Sequence, residues 1–245
     1  MEKINLQEFE HNIYLGYSPD AVEGNEEKIP QAKEFVNNIK NSIEGFTFCI
    51  ANFRSLTNKE VEKFTIDLII YWLQKRFTEI PSELIPGIFE ILSNIDERQI
   101  RKNGPEFSEL IAEAQAVFTM KTYIELCPNI ISTFCQFANS KVKNVIFLRY
   151  VSHLFQDFTT PSPLANDNHA RIFNQMNEDG SLQGICEIMS KEIVKGTKFA
   201  IDFLLHLSRV SNITFLSIDF LKGLSDDLDD KDKDKNIPLI YLNIL

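Results

Sequence analysis

Few side chains in this sequence stand where they could do chemistry. Four histidines, His11, His153, His169 and His206, are far apart along the chain. His153 and His206 lie within amphipathic stretches and read as residues at the edge of a core. His169 closes the string Asn166-Asp167-Asn168-His169. That string suits a helix N-terminus better than a metal site, because residues two apart do not share a helix face. The cysteines, Cys49, Cys127, Cys135 and Cys186, form no C-x-x-C pair and read as free thiols of a reducing compartment. The acidic run from Asp226-Asp227 to Asp234 lacks the Gly and closing Glu of a calcium loop. Neither G-x-x-x-x-G-K-[ST] nor G-x-S-x-G occurs. The expectation is a chain that is not an enzyme, with no catalytic residues, no metal and no cofactor. Basic charge concentrates in Arg98, Arg101 and Lys102, and again in Lys141, Lys143 and Arg149. Both groups could meet phosphates, but no exposed aromatics are interleaved with them, so ordinary surface charge is the plainer reading.

The elements that must carry these residues are helices. Thr57-Asn58-Lys59-Glu60 has the form of a capping box, with Thr57 expected to accept from an orphan amide and Glu60 to reach back. Val61, Phe64, Leu68 and Tyr71/Trp72 then recur at helical spacing as far as Arg76, and Pro81 ends the interruption that follows. Leu84, Ile88, Ile91 and Leu92 make a second stripe, so 58–77 and 82–94 form a hairpin. A hairpin before it begins with Pro30 in a first turn, followed by Ala32, Phe35, Val36 and Ile39. Glu44-Gly45 separates that helix from one carrying Phe46, Cys49, Ile50 and Phe53. A short helix over 6–15, ending at Gly16, comes first. The third hairpin is 105–126 with 128–138, reached through a charged connector over 96–104. A fourth unit opens at Ser140, with Val142, Val145, Ile146, Leu148 and Leu154 lining one long helix to Phe158. Helices over 165–176 and 181–194 follow, and then a fifth hairpin carrying Phe199, Phe203, Leu204 and Leu207 in one helix and Phe215, Ile218, Phe220 and Leu221 in the next.

Successive hairpins begin roughly 30 to 50 residues apart, the range of HEAT-type repeats. Such pairs cannot bury both faces alone and stack on their neighbours, so the expected fold is all-α: a right-handed α-solenoid of about five HEAT-like hairpins. Residues 1–25 form an N-terminal helix and polar loop, and 26–225 the helical repeats. An acidic Asp/Lys loop over 226–236 is too polar to pack, and 237–245 is an apolar tail. An apolar finish without a polar capping helix suggests a missing continuation or a partner over the end. The 44% hydrophobic and 24% charged composition is that of a folded, intracellular, soluble protein without membrane insertion, since no run is long enough to span a bilayer. A net charge of −10 does not suit nucleic-acid binding by overall electrostatics and fits a basic protein partner better.

The order of segments resembles the N-terminal part of the importin-β/exportin (karyopherin) superfamily, and within it the tRNA-exporting branch. The likeness rests on the string Gln31-Ala32-Lys33-Glu34-Phe35-Val36-Asn37-Asn38-Ile39, the helix of Phe46 to Phe53, and Glu62-Lys63-Phe64 through Trp72-Leu73. Ala114-Gln115-Ala116-Val117-Phe118 and Leu148-Arg149-Tyr150-Val151-Ser152-His153 extend it. It is a diffuse pattern over about 26–224 without a signature string, and members of the family are several times longer. The resemblance implies a nuclear transport receptor of exportin type, or the N-terminal portion of one. Such a receptor binds Ran-GTP through its first repeats, contacts nuclear pore proteins and shuttles between nucleus and cytoplasm, with tRNA as cargo. In solenoids of this kind the second helix of each hairpin lines the inner surface. Asn52, Arg54, Glu83, Glu90, Asn129, Ser132 and Gln136 are then the candidates for Ran, with Glu83 and Glu90 as charge partners. Arg98, Arg101, Lys102, Lys141, Lys143 and Arg149 are those for tRNA phosphates. The Asp/Lys run and the tail match nothing in that family. A HEAT-repeat scaffold or adaptor unrelated to transport is the alternative.

Overall fold

Short polar side chains set where the helices start. In the computed structural model, which describes residues 5–18, 26–159 and 166–194 with Lys198, Phe199, Phe203 and His206, every regular element is helical. The expected helices beyond 199 and the segments 226–236 and 237–245 lie outside the described residues, apart from the single positions named. The chain divides into two compact units, Met1–Lys121 and Thr122–Leu245.

In the first unit, α1 (Leu6–Tyr17) is capped by Asn5, whose side chain accepts from the Gln7 amide at 3.0 Å. The helix runs on through Gly16, where the sequence suggested an end. α2 (Ile29–Asn41) has Pro30 in its first turn, where the missing amide costs nothing. α3 (Ile43–Asn52) starts at Ser42, whose hydroxyl accepts from Gly45 N at 2.9 Å. The break between α2 and α3 is therefore at Ser42, and Glu44-Gly45 belongs to the helix. α4 (Lys59–Lys75) is capped by Asn58, which accepts from the Glu60 amide at 2.8 Å. The Thr57 hydroxyl, expected to do this, donates instead to Glu10 of α1 at 2.9 Å.

α4 is buried on two sides. Val61, Phe64, Leu68 and Trp72 form one stripe, and Ile66, Ile69, Ile70 and Leu73 the other. A helix apolar over most of its circumference needs neighbours on both sides. Here α1 and α3 pack on α4, α2 packs on α1 and α3, and α3 packs on α5 (Ile85–Ser93). Trp72 joins the C-terminal ends of α2 and α4. Its ring stacks on Phe46 at 4.9 Å and its Nε1 donates to the Lys40 carbonyl at 3.0 Å. α6 (Glu97–Thr122) consists of two helical pieces meeting at Gly104, where φ is 79° and ψ −168°. The 96–104 connector is thus mostly helix. The second piece lies against α5, where Phe89 stacks with Phe118 and the Gln115 amide donates to Leu92 O at 2.9 Å.

In the second unit the chain turns earlier than expected. Thr122 O accepts from both Leu126 N and Cys127 N, at 2.9 and 2.8 Å, so α6 stops there and not near Leu126. α7 (Ile130–Cys135) is short and continues into a 3-10 turn, Gln136–Asn139. α8 (Asn144–Thr159) buries Ile146, Phe147, Tyr150, Val151, Leu154 and Phe155, with Phe155 edge-on to Phe203 at 4.8 Å. Ser140 Oγ accepts from Val142 N and Lys143 N, both at 3.2 Å, but the α-helix begins only at Asn144 and Val145 is 44% exposed. α9 (Asn166–Glu178) and α10 (Ser181–Val194) lie close to the bounds read from sequence. The Tyr123 hydroxyl, buried at the turn after α6, donates to Asp179, whose other oxygen accepts from Ser181 N at 2.9 Å. That pair ties the turn after α6 to the start of α10.

Candidate interaction face

Two candidate residues of the first unit, Arg54 and Glu90, meet where α3 packs on α5. Asn52 ends α3, is half-buried and donates back to the Phe48 carbonyl at 2.8 Å. Arg54 follows in the 3-10 turn Phe53–Ser55 and reaches Glu90 of α5 at 2.8 Å. Their side chains are 68% and 55% exposed, so the pair contributes at most roughly 0–1 kcal/mol to the fold. Its larger effect is on charge, because each cancels the other on this face. Glu83 lies before α5 in the 3-10 turn Ser82–Leu84, not in the helix itself. It is exposed, and the Ser82 hydroxyl is 3.5 Å from it. Among the described residues no cation pairs with Glu83.

The basic cluster is not three equivalent cations. Arg98 is exposed, with its amide bonded to Asp96. Arg101 lies 3.3 Å from Glu97 one turn back and is 71% exposed. Lys102 is tied to the fold although its side chain is 41% exposed: its ammonium donates to the Thr57 carbonyl at 2.8 Å and lies 3.2 Å from Glu62, whose side chain is 3% exposed. Asn103 donates to the other Glu62 oxygen. Lys102 is therefore a tie between α6 and the start of α4, a role that nothing in the residue pattern separates from its neighbours. On the far side of Thr57, Glu10 accepts from the Thr57 and Asn58 amides at 2.6 and 2.9 Å. Partial burial opposes ionisation of Glu10, but these amides, the Thr57 hydroxyl and the Lys102 charge together hold its carboxyl below the ordinary value.

In the second unit, Asn129, Ser132 and Gln136 are exposed along α7 and the turn after it. Asn129 has a local task, its carbonyl accepting from Ser132 Oγ at 2.8 Å and Thr133 Oγ1 at 3.0 Å. Lys141 is exposed. Lys143 sits over the Phe137 ring at 5.0 Å and Arg149 over Phe199 at 5.6 Å, so both cations already face an aromatic surface.

The thiols are poor nucleophiles or ligands. Burial pushes Cys49 and Cys186 up to about 12 and Cys135 to about 11, with Glu187 adding to the effect at Cys186, and Cys127 is raised as well. At neutral pH they are protonated. Among the described residues no three His, Cys, Asp or Glu side chains converge as a metal site, and no helix is long and apolar enough to cross a membrane.

Sequence reading missed Glu10, Glu62 and the Tyr123–Asp179 pair. Glu62 had a signal, since it heads the stripe Ile66, Ile69, Leu73, and a carboxylate at the head of a buried stripe needs a partner. Comparisons with protein-family models, curated proteins and solved structures give no match to this chain.

Proposed function

We propose that the chain is a protein-binding module of stacked HEAT-like hairpins, and not an enzyme. The observation that carries this reading is the succession of contacts in the first unit. The first helices of successive hairpins are joined, α2 to α4 through Trp72 and Lys40, and α4 to α6 through Lys63 and Glu106 at 3.1 Å. The second helices, α3 and α5, pack on one another. These contacts support an α-solenoid, an architecture in which the second helices of successive hairpins form one face.

The specific form we propose is the karyopherin one, of exportin type, with Ran-GTP on the α3–α5 face, nuclear pore contacts and tRNA as cargo. It rests on the resemblance of 31–39, 46–53 and 62–73 to the first repeats of that superfamily. Glu83, an exposed carboxylate with no internal cation among the described residues, suits a basic partner. Ran-GTP and cargo would be coupled if each raised the affinity for the other, and the chain would shuttle between nucleus and cytoplasm. Immobilised Ran loaded with GTP should retain the chain and Ran-GDP should not. The double charge reversal Glu83→Lys with Glu90→Lys should weaken retention, and tRNA binding should need Ran-GTP.

The Arg54–Glu90 pair favours a second reading. A face that neutralises its own charge suits a HEAT scaffold holding a protein complex together. Retention without nucleotide preference, or none at all, would select it.

A further inference from the structure

Residues 97–103 read Glu-Arg-Gln-Ile-Arg-Lys-Asn, and Ile100 is their one apolar side chain. A helical piece this short has no stability of its own in water, and its one buried isoleucine contributes about 1.5–3 kcal/mol. Its N-terminus is nevertheless well made. Asp96 Oδ1 accepts from the Arg98 amide while Gln99 reaches back to Asp96 N at 3.2 Å, a reciprocal cap that fixes where the piece begins.

Its other end is a joint. Gly104 has φ 79°, a region other residues avoid, and nothing lies within 4 Å of where a Cβ would stand. The glycine is therefore there for its torsion and not for close packing. Pro105 follows and brings no amide that could carry helical hydrogen bonding across the joint.

Beside the buried Ile95 and Ile100, a set of polar contacts holds the piece down. The Lys102 ammonium reaches Thr57 O and Glu62, and Asn103 Nδ2 donates to Glu62. In that position Asn103 Oδ1 is buried without a protein partner. Leaving the closed position would return it to water, as it would Glu62. Compare α5, which is also short but buries Ile85, Ile88, Ile91 and Leu92. Thr57 connects the latch to α1, because its amide and hydroxyl are held by Glu10.

We propose that residues 97–103 form a strap that opens by local unfolding as far as Gly104, latched shut on Thr57 and Glu62 by Lys102 and Asn103. Opening it withdraws Lys102 from Thr57 and loosens the grip of Glu10 on the start of α4. The strap opens without unfolding α5 or the rest of α6.

Native-state hydrogen exchange on the full chain, read by peptide mass spectrometry, tests this. The amides of 97–103 should exchange about tenfold or more faster than those of α5 and of 105–122. Lys102→Ala should accelerate 97–103 and the Thr57 and Asn58 amides while leaving α5 and 105–122 unchanged. Arg101→Ala, which leaves the latch intact, should change none of them. Equal exchange across the three segments in the wild type would overturn the strap, and that comparison decides even where Lys102→Ala does not fold. Acceleration of all three together by Lys102→Ala, or an Arg101→Ala effect as large as that of Lys102→Ala, would overturn the latch.

Discussion

Gly16 and Ala32 bring the backbones of α1 and α2 into direct contact. A Cβ built on Gly16 would stand 2.5 Å from the Ala32 carbonyl oxygen and 2.7 Å from Val36 Cγ2. The obstacle is backbone, which cannot rotate aside. Gly16→Ala should therefore destabilise the first unit by about 1–3 kcal/mol despite its better helix propensity, because forcing the helices apart outweighs that gain. A thermal melt that is unchanged or raised would show that α1 and α2 do not cross at this position.

Trp72 supports a prediction that can be read with its own fluorescence, since the chain has no other tryptophan. It is fully buried, stacks on Phe46 and donates to Lys40 O. Trp72→Phe keeps most of the apolar ring but leaves the last turn of α2 short of a donor. We expect a loss of about 1–3 kcal/mol by denaturant unfolding. In the wild type, Trp emission should shift red in the same transition as the helical circular dichroism of the first unit.

How far the sequence shows this differs from one residue to the next. The stripe Val61, Phe64, Leu68, Trp72 repeats at helical spacing and is buried as read, and Pro30 opens α2 as its missing amide requires. The cap of α4 was ambiguous because Thr57 and Asn58 can both accept from a first-turn amide. The choice is made by Glu10, far away in sequence, which takes the Thr57 hydroxyl. The strap looked like a charged loop because helix periodicity needs apolar residues to register, and 97–103 has one. Val145 had the right spacing for a core, but the buried face of α8 runs through Ile146, Phe147, Tyr150, Val151 and Leu154 and leaves it outside. The Arg54–Glu90 pair could not be read at all, since it depends on how α3 lies on α5.

Lys102 and Arg101 stand side by side in sequence and should respond differently to the same change. Lys102→Ala strands a carboxylate whose side chain is 3% exposed and should cost about 1–3 kcal/mol. Arg101→Ala removes a one-turn ion pair that is 71% exposed on the arginine side, and should cost no more than about 0.5 kcal/mol. Urea titrations of the two variants measure the contrast. Equal losses would mean that Glu62 does not depend on Lys102.

Two carboxylates should give the stability opposite responses to acid. Glu10 binds its proton more weakly in the fold than in the unfolded chain, because amides, a hydroxyl and Lys102 outweigh its partial burial. Its contribution is present above the unfolded value of about 4.3 and is lost as pH falls through the lower folded value. Asp67 behaves the other way: burial raises its pKa, and the Lys40 charge only partly opposes this. Its ionisation therefore works against the fold once pH rises through the folded value, and this effect disappears below the unfolded value of about 3.9. Asp67 also faces Tyr17, where burial first, and then Asp67, Glu60 and Glu106, push the phenol up to about 12. Removing the Asp67 charge thus relieves a crowded acidic corner in which Lys63 already serves Glu60 and Glu106. Asp67→Asn should raise the melting temperature near neutral pH, with the gain shrinking to nothing as the buffer is acidified. Glu10→Gln should lower it near neutral pH and flatten the fall that the wild type shows in acid. Melts of the three proteins across that range decide the matter, and an Asp67→Asn gain that persists undiminished in acid would show that charge is not its cause.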